Sequence, residues 1–594
     1  MTDANRNVAW ARVLVEELAR CGVREVCVAP GSRSTPLVLA VAAREDLRVR
    51  VFLDERSAAF FALGVGKATG IPAAVITTSG SAVANLLPAA VEAHQAEVPL
   101  LLVTADRPHH LRDADANQAI RQPGIFRDFA RGVWDLPQPR VDDASLRHLR
   151  AVAARGVAAA VGDPAGPVHL NVPFRKPLEP VPVEGDVPAD FEERFPVAAR
   201  GRGLKPMVWV GARRPRAGGA EVALLAELLE AAERPLLVAG PHPRPSELGA
   251  AAIRLAAAGG IPLLGDPLSG VRTPADHGAV RVTAYDLFLR SAAVRDALAP
   301  DLVIRVGAAC TSAPLLGWLE SLQDVTQVVV DAGERWKDHL NAASRYVQAD
   351  APETLAALAA LGPRPAAASW RDLWEAVDRA ALTGALAAPG AKHEGHVAAA
   401  VMRHTPAEAA LFVSSSMPIR DVDGFGGSRD DDLPIHGNRG ASGIDGIVST
   451  AAGVSAGTGR RTVALLGDLA FLHDANGLLS LREEGVEVTL VVVNNDGGGI
   501  FHMLPVREFD PPFTRLFATP HGLDLAHLAR LHGLPHLRVD GADAAEAALE
   551  TALRESGSRV VEIATGRDAN RIGHEAAVAA AITAARDALS NLTE

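Results

Sequence analysis

The sequence predicts an α/β protein made of three doubly wound parallel-sheet domains, and three observations predict it. Short, nearly continuous apolar runs alternate with amphipathic helical stretches along the whole chain, the pattern of parallel strands covered by helices on both faces. Two segments without clear period, 175–205 and 361–369, interrupt that alternation with Pro and charge or with Pro and Ala. The blocks they leave each have the size of one domain. The composition agrees: 594 residues, 48% hydrophobic and 22% charged, bury several cores and are too apolar for wholesale disorder.

The elements follow in order. Residues 8–21 place Trp10, Val13, Leu14, Leu18 and Cys21 on one helical face, and Gly22 stops the helix. A strand is expected at 26–29, followed by the loop PGSRSTP (30–36). Further strands at 73–77, 99–104 and 168–172 complete a first block, residues 1–182. Residues 183–205 read as a linker. The second block, 206–362, begins at MVWVG (207–211) and runs through PLLVAG, IPLLGD, DLVIRVG and VTQVVVD. Residues 363–394 hold a second linker and a helix at about 370–386. The third block, 395–594, carries the strands ALFVSSS, TVALLGD, EVTLVVVNND and RVVEIAT and ends in a helix at 574–589.

Several function classes are disfavoured by composition. A net charge of −12 argues against a nucleic-acid partner, whose electrostatic footprint is basic. Cys21, Cys27 and Cys310 form no CxxC pair or disulfide framework, which suits a reducing compartment. The N-terminal stretch carries charges every few residues, and no apolar run approaches the ~20 residues that span a bilayer. A cytoplasmic protein without membrane insertion is expected.

The chemistry concentrates in the third block. TVALLGD ends in Gly467-Asp468, and TLVVVNND ends in Asn494-Asn495, followed by Asp496-Gly497-Gly498. Both pairs lie at C-terminal ends of expected parallel strands, where open α/β sheets bind ligands. A carboxylate, an amide oxygen and a loop carbonyl are hard oxygen ligands suited to Mg²⁺. Free N–H groups at a following helix start suit a diphosphate. Alone, each piece has an ordinary reading, Asp468 as a helix cap and NNDGGG as a tight turn; together they point to a metal–diphosphate site.

The pair Gly467-Asp468 and Asn494-Asn495 resembles the diphosphate-binding motif of thiamine-diphosphate enzymes, with Leu469 where many members have a second glycine. Those enzymes join a pyrimidine-binding domain, a central domain and a diphosphate-binding domain, matching the three blocks. The resemblance implies thiamine diphosphate and Mg²⁺ (or Mn²⁺) as cofactors. Asp468, Asn495 and the Gly497 carbonyl would ligate the metal, and Gly467, Leu469 and Gly498 would line the cofactor. Ile444 would wedge beneath it. Glu55, at a helix start in DERSAAFFALG, would hydrogen-bond N1′ of the aminopyrimidine and favour its 4′-imino tautomer. Active sites would lie between the pyrimidine domain of one chain and the diphosphate domain of another, in a homodimer or homotetramer.

Within these enzymes, PGSRSTP, TADRPHHLRDADANQAI, SSSMPIRDVD, GNRGASGIDG and NNDGGGIF closely resemble the 2-succinyl-5-enolpyruvyl-6-hydroxy-3-cyclohexene-1-carboxylate (SEPHCHC) synthases of menaquinone biosynthesis. The family reaction decarboxylates 2-oxoglutarate and adds the succinyl carbanion in conjugate fashion to isochorismate. Two dicarboxylates call for rigid, bidentate donors, a role arginine fills. The resemblance implies Arg420 and Arg439 on the 2-oxoglutarate side and Ser32, Arg33 and Arg107 facing isochorismate. Asn117 and Gln118 would bond the intermediate, and Ser416 would border the same pocket. Ala313 stands where members often carry a lysine, so that loop supplies no charge. The central block has no G-x-G-x-x-G after a strand, and no NAD or FAD site is expected there. Two other readings remain open at the level of sequence: an acetolactate-synthase-like decarboxylase or carboligase, and a non-catalytic anion-binding scaffold.

Overall fold

The computed structural model describes residues 3–211, 214–273, 278–333, 335–390 and 392–593. Among them the strands form three six-stranded sheets, and every pairing is parallel. The chain divides into two compact units. One is Met1–Arg213 with Asn438–Gly459 and Asp474–Val486; the other is Arg214–Gly437 with Arg460–His473 and Glu487–Glu594.

The first unit is built on β1 (Glu25–Val28), β2 (Arg48–Val51), β3 (Ala74–Thr77), β4 (Leu100–Asp106), β5 (Gly132–Asp135) and β6 (Pro167–Pro173), in the order β2-β1-β3-β4-β6-β5. The central strands β1, β3, β4 and β6 are buried along their whole length, which explains why they are mostly apolar, with the buried Thr104 hydrogen-bonded to His169 and Asn171. The helix Arg6–Arg20 covers one face; Asn5 caps it by accepting from the Asn7 and Val8 N–H groups. The helix Glu55–Thr69 crosses the helix Ile447–Thr458 at backbone contact distance. A Cβ on Gly64 would stand 2.2 Å from the Thr450 carbonyl, and one on Gly453 would stand 2.0 Å from that of Phe61. The buried Asp474 ties these helices to the segment after them. It accepts from the Ser449 N–H (2.7 Å), the Ser449 hydroxyl (3.1 Å) and the Ser57 hydroxyl (3.3 Å).

Two expectations meet a different outcome here. Residues 183–205 are docked against the first unit: Phe191, Ala198 and Ala199 are buried, and Arg150 donates to the carbonyls of Ala198 and Ala199. Their helices, Phe191–Arg194 and Pro196–Arg200, are about one turn each, too short to show a period. MVWVG (207–211) forms no strand, and Trp209 is 81% exposed. An apolar run becomes a strand only where neighbouring strands satisfy its backbone, and none does here.

The second unit holds the other two sheets. β7 (Pro235–Ala239), β8 (Leu263–Gly265), β9 (Arg281–Val282), β10 (Leu302–Val306), β11 (Thr326–Val330) and β12 (Arg345–Val347) lie in the order β12-β11-β10-β7-β8-β9. Read from the other edge, this is the dinucleotide-fold order. At its switch point the loops after β7 and β10 bond each other, Gly240 N to the Val306 carbonyl and Ala308 N to that of Pro241, so backbone bridges the crevice. β13 (Ala410–Val413), β14 (Ile435–Gly437), β15 (Thr462–Gly467), β16 (Val488–Asn494), β17 (His536–Asp540) and β18 (Arg559–Ala564) repeat the order of the first sheet, β14-β13-β15-β16-β18-β17.

The helices expected at 370–386 and 574–589 are Ala368–Leu386 and Arg567–Thr593, and Trp370, Trp374, Ala577, Ala581 and Ala585 share one core. The fully buried pair Arg272–Asp423 (2.6 Å) joins the central sheet's loops to the helix after β13, and the Tyr285 hydroxyl completes it by donating to Asp423 (2.7 Å). No helix among the described residues is long and apolar enough to cross a membrane.

Candidate active site

In the second unit, β15 and β16 are neighbours in register, with Gly467 opposite Val493, so Asp468 and Asn495 emerge side by side at the C-terminal sheet edge. Asp468 opens the helix Asp468–His473 and is buried. It accepts from the N–H groups of Leu469 (2.7 Å) and Gly497 (2.8 Å) and lies 3.2 Å from His521 Nε2. Burial pushes its carboxyl up from the usual range, while the two backbone bonds and His521 pull against that.

Asn495 donates through Nδ2 to Glu394 (2.9 Å), and its Oδ1 is buried with no protein partner. Such an orphaned acceptor in a folded protein calls for a ligand. Gly497 has φ +136, and a Cβ there would stand 2.1 Å from the Ala518 carbonyl. Gly498 donates to that same carbonyl (2.7 Å), which folds the loop back on itself. One carboxylate, one unpartnered amide oxygen and one loop carbonyl fit a hard divalent cation. At Gly467 the surrounding space is open.

Ser416 follows β13 on the same edge. It holds φ +73, rare for a residue with a side chain, at the start of the helix Met417–Phe425. Strained backbone of this kind is retained where function needs the geometry. Arg420, one turn further on, is exposed and donates to the Ser416 carbonyl.

The first unit carries the remaining residues. Glu55 is the first residue of its helix, with Asp54 as its cap; it is partly buried and accepts from Asn85 Nδ2 (3.1 Å). The loop bearing Arg439 and Ile444 is pinned by Glu92, which accepts from the N–H groups of Gly440 (3.0 Å) and Ala441 (2.7 Å) and pairs with Lys67. Ile444 is half-buried.

A second constellation gathers at the C-terminal ends of β1, β3 and β4. Arg33 lies in the turn Ser32–Ser34 and donates to the Phe174 carbonyl (2.8 Å), while its Nε is buried without a partner. Arg107 is 8% exposed and donates to the Ser79 hydroxyl. Burial and then the neighbouring Arg107 charge hold the Arg33 guanidinium below its ordinary value, and burial does the same to Arg107. Arg33 and Arg107 thus lie near each other, and the Asp106 carboxylate acts on both. Gln118, with φ +58, donates to the Ser79 carbonyl (2.9 Å). Ser32 and Asn117 are exposed. Ala313 opens the helix Ala313–Ser321, and Ser312 caps it.

Sequence reasoning missed several partners. Glu394 and Thr565 sit behind Asn495, His521 sits beside Asp468, and Glu92 supports the Arg439 loop. Each is far in sequence from the residue it serves, so no local pattern ties the two together. Burial, and then the charge of Asp421, push the Glu394 carboxyl up to about 7.

The comparisons with known proteins agree with this geometry. The thiamine pyrophosphate enzyme N-terminal TPP binding domain matches residues 9–125, and the C-terminal TPP binding domain matches residues 435–563. A 2-succinyl-5-enolpyruvyl-6-hydroxy-3-cyclohexene-1-carboxylate synthase of Halobacterium salinarum is 48% identical over 581 residues, 96% of this chain and 97% of the relative. The chain belongs to the SEPHCHC synthase family. Family members of the same name from Chloroflexus aurantiacus and Roseiflexus castenholzii are 44% and 42% identical. The first covers 95% of this chain and 94% of its own length, the second 97% and 99%. Membership makes the chain an enzyme, and the two matched domains make thiamine diphosphate its cofactor.

Proposed function

We propose that this enzyme decarboxylates 2-oxoglutarate and adds the succinyl unit to the ring of isochorismate, the reaction by which its relatives are named. The observation that carries the reading is that Arg33 and Arg107 lie near each other at the ends of β1 and β4, with the Arg33 Nε buried and unpartnered. Nothing in a pyruvate enzyme calls for that pair, whereas a dicarboxylate acceptor does. Arg420 and Arg439 hold the carboxylate of the 2-oxoglutarate side, with Ser416 at the pocket's border. Ser32 joins the acceptor side, and Asn117 and Gln118 would hydrogen-bond the intermediate. The distal carboxylates are thereby fixed, and the reacting carbons are held at close range.

Asp468, Asn495 and the Gly497 carbonyl hold Mg²⁺ or Mn²⁺; the buried, unpartnered Asn495 Oδ1 supports this. Gly467, Leu469 and Gly498 would line the diphosphate of the cofactor. When bound, thiamine diphosphate supplies the stabilised carbanion on which both half-reactions depend. Glu55 would hold a proton at N1′ of the pyrimidine ring, and Ile444 would pack beneath the cofactor. Residues 1–182 act as the pyrimidine-binding domain and 395–594 as the diphosphate-binding domain, with each site completed by a second copy in a homodimer or homotetramer. The cytoplasm is the compartment this reading implies.

The test is product identity. With thiamine diphosphate, Mg²⁺ and both substrates, mass spectrometry should detect the SEPHCHC product; its absence under turnover of 2-oxoglutarate would sink the acceptor assignment.

A further inference from the structure

An asparagine amide presents an acceptor at one end and a donor at the other, and the two ends have nearly the same shape. As a metal ligand it is useful in one orientation only, because the NH₂ end repels a cation. Something must therefore decide which end faces the ligand. Around Asn495 the structure supplies that decision from behind. Nδ2 donates to Glu394 Oε1 at 2.9 Å, and Oδ1 is left buried and unpartnered.

The acceptor is itself fixed. The same Glu394 oxygen accepts from the Thr565 hydroxyl at 2.7 Å. Thr565 is anchored through its own N–H to the Asn494 carbonyl at 2.8 Å, one residue before the ligand. Glu394 opens the helix Glu394–His404, and its N–H donates to the Asn570 side chain at 2.9 Å. The residue is 3% exposed and lies 101 positions from Asn495 in sequence. A buried carboxylate is costly to keep, and here its hydrogen bonds go to the back of a candidate metal ligand and to Thr565, just past the end of the neighbouring strand β18.

We propose that Glu394 is a positioning residue that, by accepting from the Asn495 NH₂ group, turns the Asn495 amide oxygen toward the metal. The inference rests on Asn495 being a ligand and goes beyond it by naming what orients the ligand. Outer partners of this kind hold a ligand's tautomer or rotamer, and their loss typically weakens metal binding by about 10–100-fold.

The test is Mn²⁺ affinity of the full chain with saturating thiamine diphosphate and no substrate, read from the free-Mn²⁺ paramagnetic resonance signal. Glu394→Met keeps the volume and removes the acceptor, and it should weaken binding by about 10–100-fold. Glu394→Gln can still accept from Asn495 and should bind within about threefold of the wild type. Thr565→Val loosens the same carboxylate without touching its helix and should weaken binding by a few-fold; it carries the test should Glu394→Met fail to fold. Wild-type affinity in Glu394→Met, or in Thr565→Val where it stands alone, overturns the inference, as does a Glu394→Gln defect as large as that of Glu394→Met. Asn495→Ala separates the two levels. If it binds Mn²⁺ normally, the ligand reading itself fails; if it binds weakly while Glu394→Met does not, only the positioning role fails.

Discussion

Replacing Gly497 with alanine probes the loop proposed to hold the metal and the diphosphate. The backbone there has φ +136, and the new Cβ would stand 2.1 Å from the Ala518 carbonyl oxygen and 2.9 Å from Arg567 Nη1. Positive-φ strain costs about 1–3 kcal/mol for a residue with a side chain. Pushing the Ala518 carbonyl away also breaks its bond from Gly498 N, worth about 1 kcal/mol. The loop will relax out of this geometry in the free protein, and binding must restore it. The sum, about 2–4 kcal/mol, corresponds to a loss of roughly 30- to 1,000-fold in thiamine diphosphate affinity. Calorimetric titration at saturating Mg²⁺ reads it directly. Gly485→Ala is the control, because φ is +74 there and no atom lies within 4 Å of the added methyl; it should cost stability alone. Gly497→Ala binding within threefold of the wild type, with an unchanged melting curve, would refute the reasoning.

Further expectations concern the other residues. Glu55→Gln should keep cofactor affinity within about tenfold and lose most turnover; near-normal turnover would remove Glu55 from the mechanism. Arg420→Ala and Arg439→Ala should chiefly harm use of 2-oxoglutarate, by ~2–5 kcal/mol if a buried carboxylate is left unpaired, and unchanged kinetic constants for that substrate in both would disprove their assignment. Asp474 is held at about 6 by burial. Its folded form therefore keeps a proton that the unfolded chain releases near pH 4, so the penalty is absent below pH 4, grows up to pH 6 and is constant above. Asp474→Asn should accordingly be more stable than the wild type at pH 7, on the order of 2–3 kcal/mol, with the gain vanishing near pH 4; a gain independent of pH in denaturant titrations would count against this origin.

The interiors of the three sheets were legible in the sequence, and their rims were not. β3, β4, β7, β10, β15 and β16 are buried almost throughout and read as nearly continuous apolar runs. The edge strands β5, β9, β12, β14 and β17 are short or carry polar residues, because only one neighbour and one covered face constrain them. β2, with RVRV, announced only its end, at Phe52-Leu53-Asp54-Glu55. MVWVG misled for the converse reason, being apolar without a partner strand.

The site divides in the same way. Asp468 and Asn495 follow consecutive strands, so their nearness could be read from spacing and sheet order together. The grouping of Arg33 with Arg107 came only from the resemblance, because their positions 74 residues apart show no pattern that joins them. Glu394, Thr565 and His521 were out of reach, because hydrogen bonds across 53 to 171 positions leave no local pattern.

The most direct test of the central claim is the rate of CO₂ release from 2-oxoglutarate with thiamine diphosphate and Mg²⁺, with and without isochorismate, and with pyruvate in parallel. The account predicts sustained release from 2-oxoglutarate that depends on isochorismate, and little from pyruvate. Turnover of pyruvate in place of 2-oxoglutarate would leave the cofactor site standing and contradict the role given to the arginines.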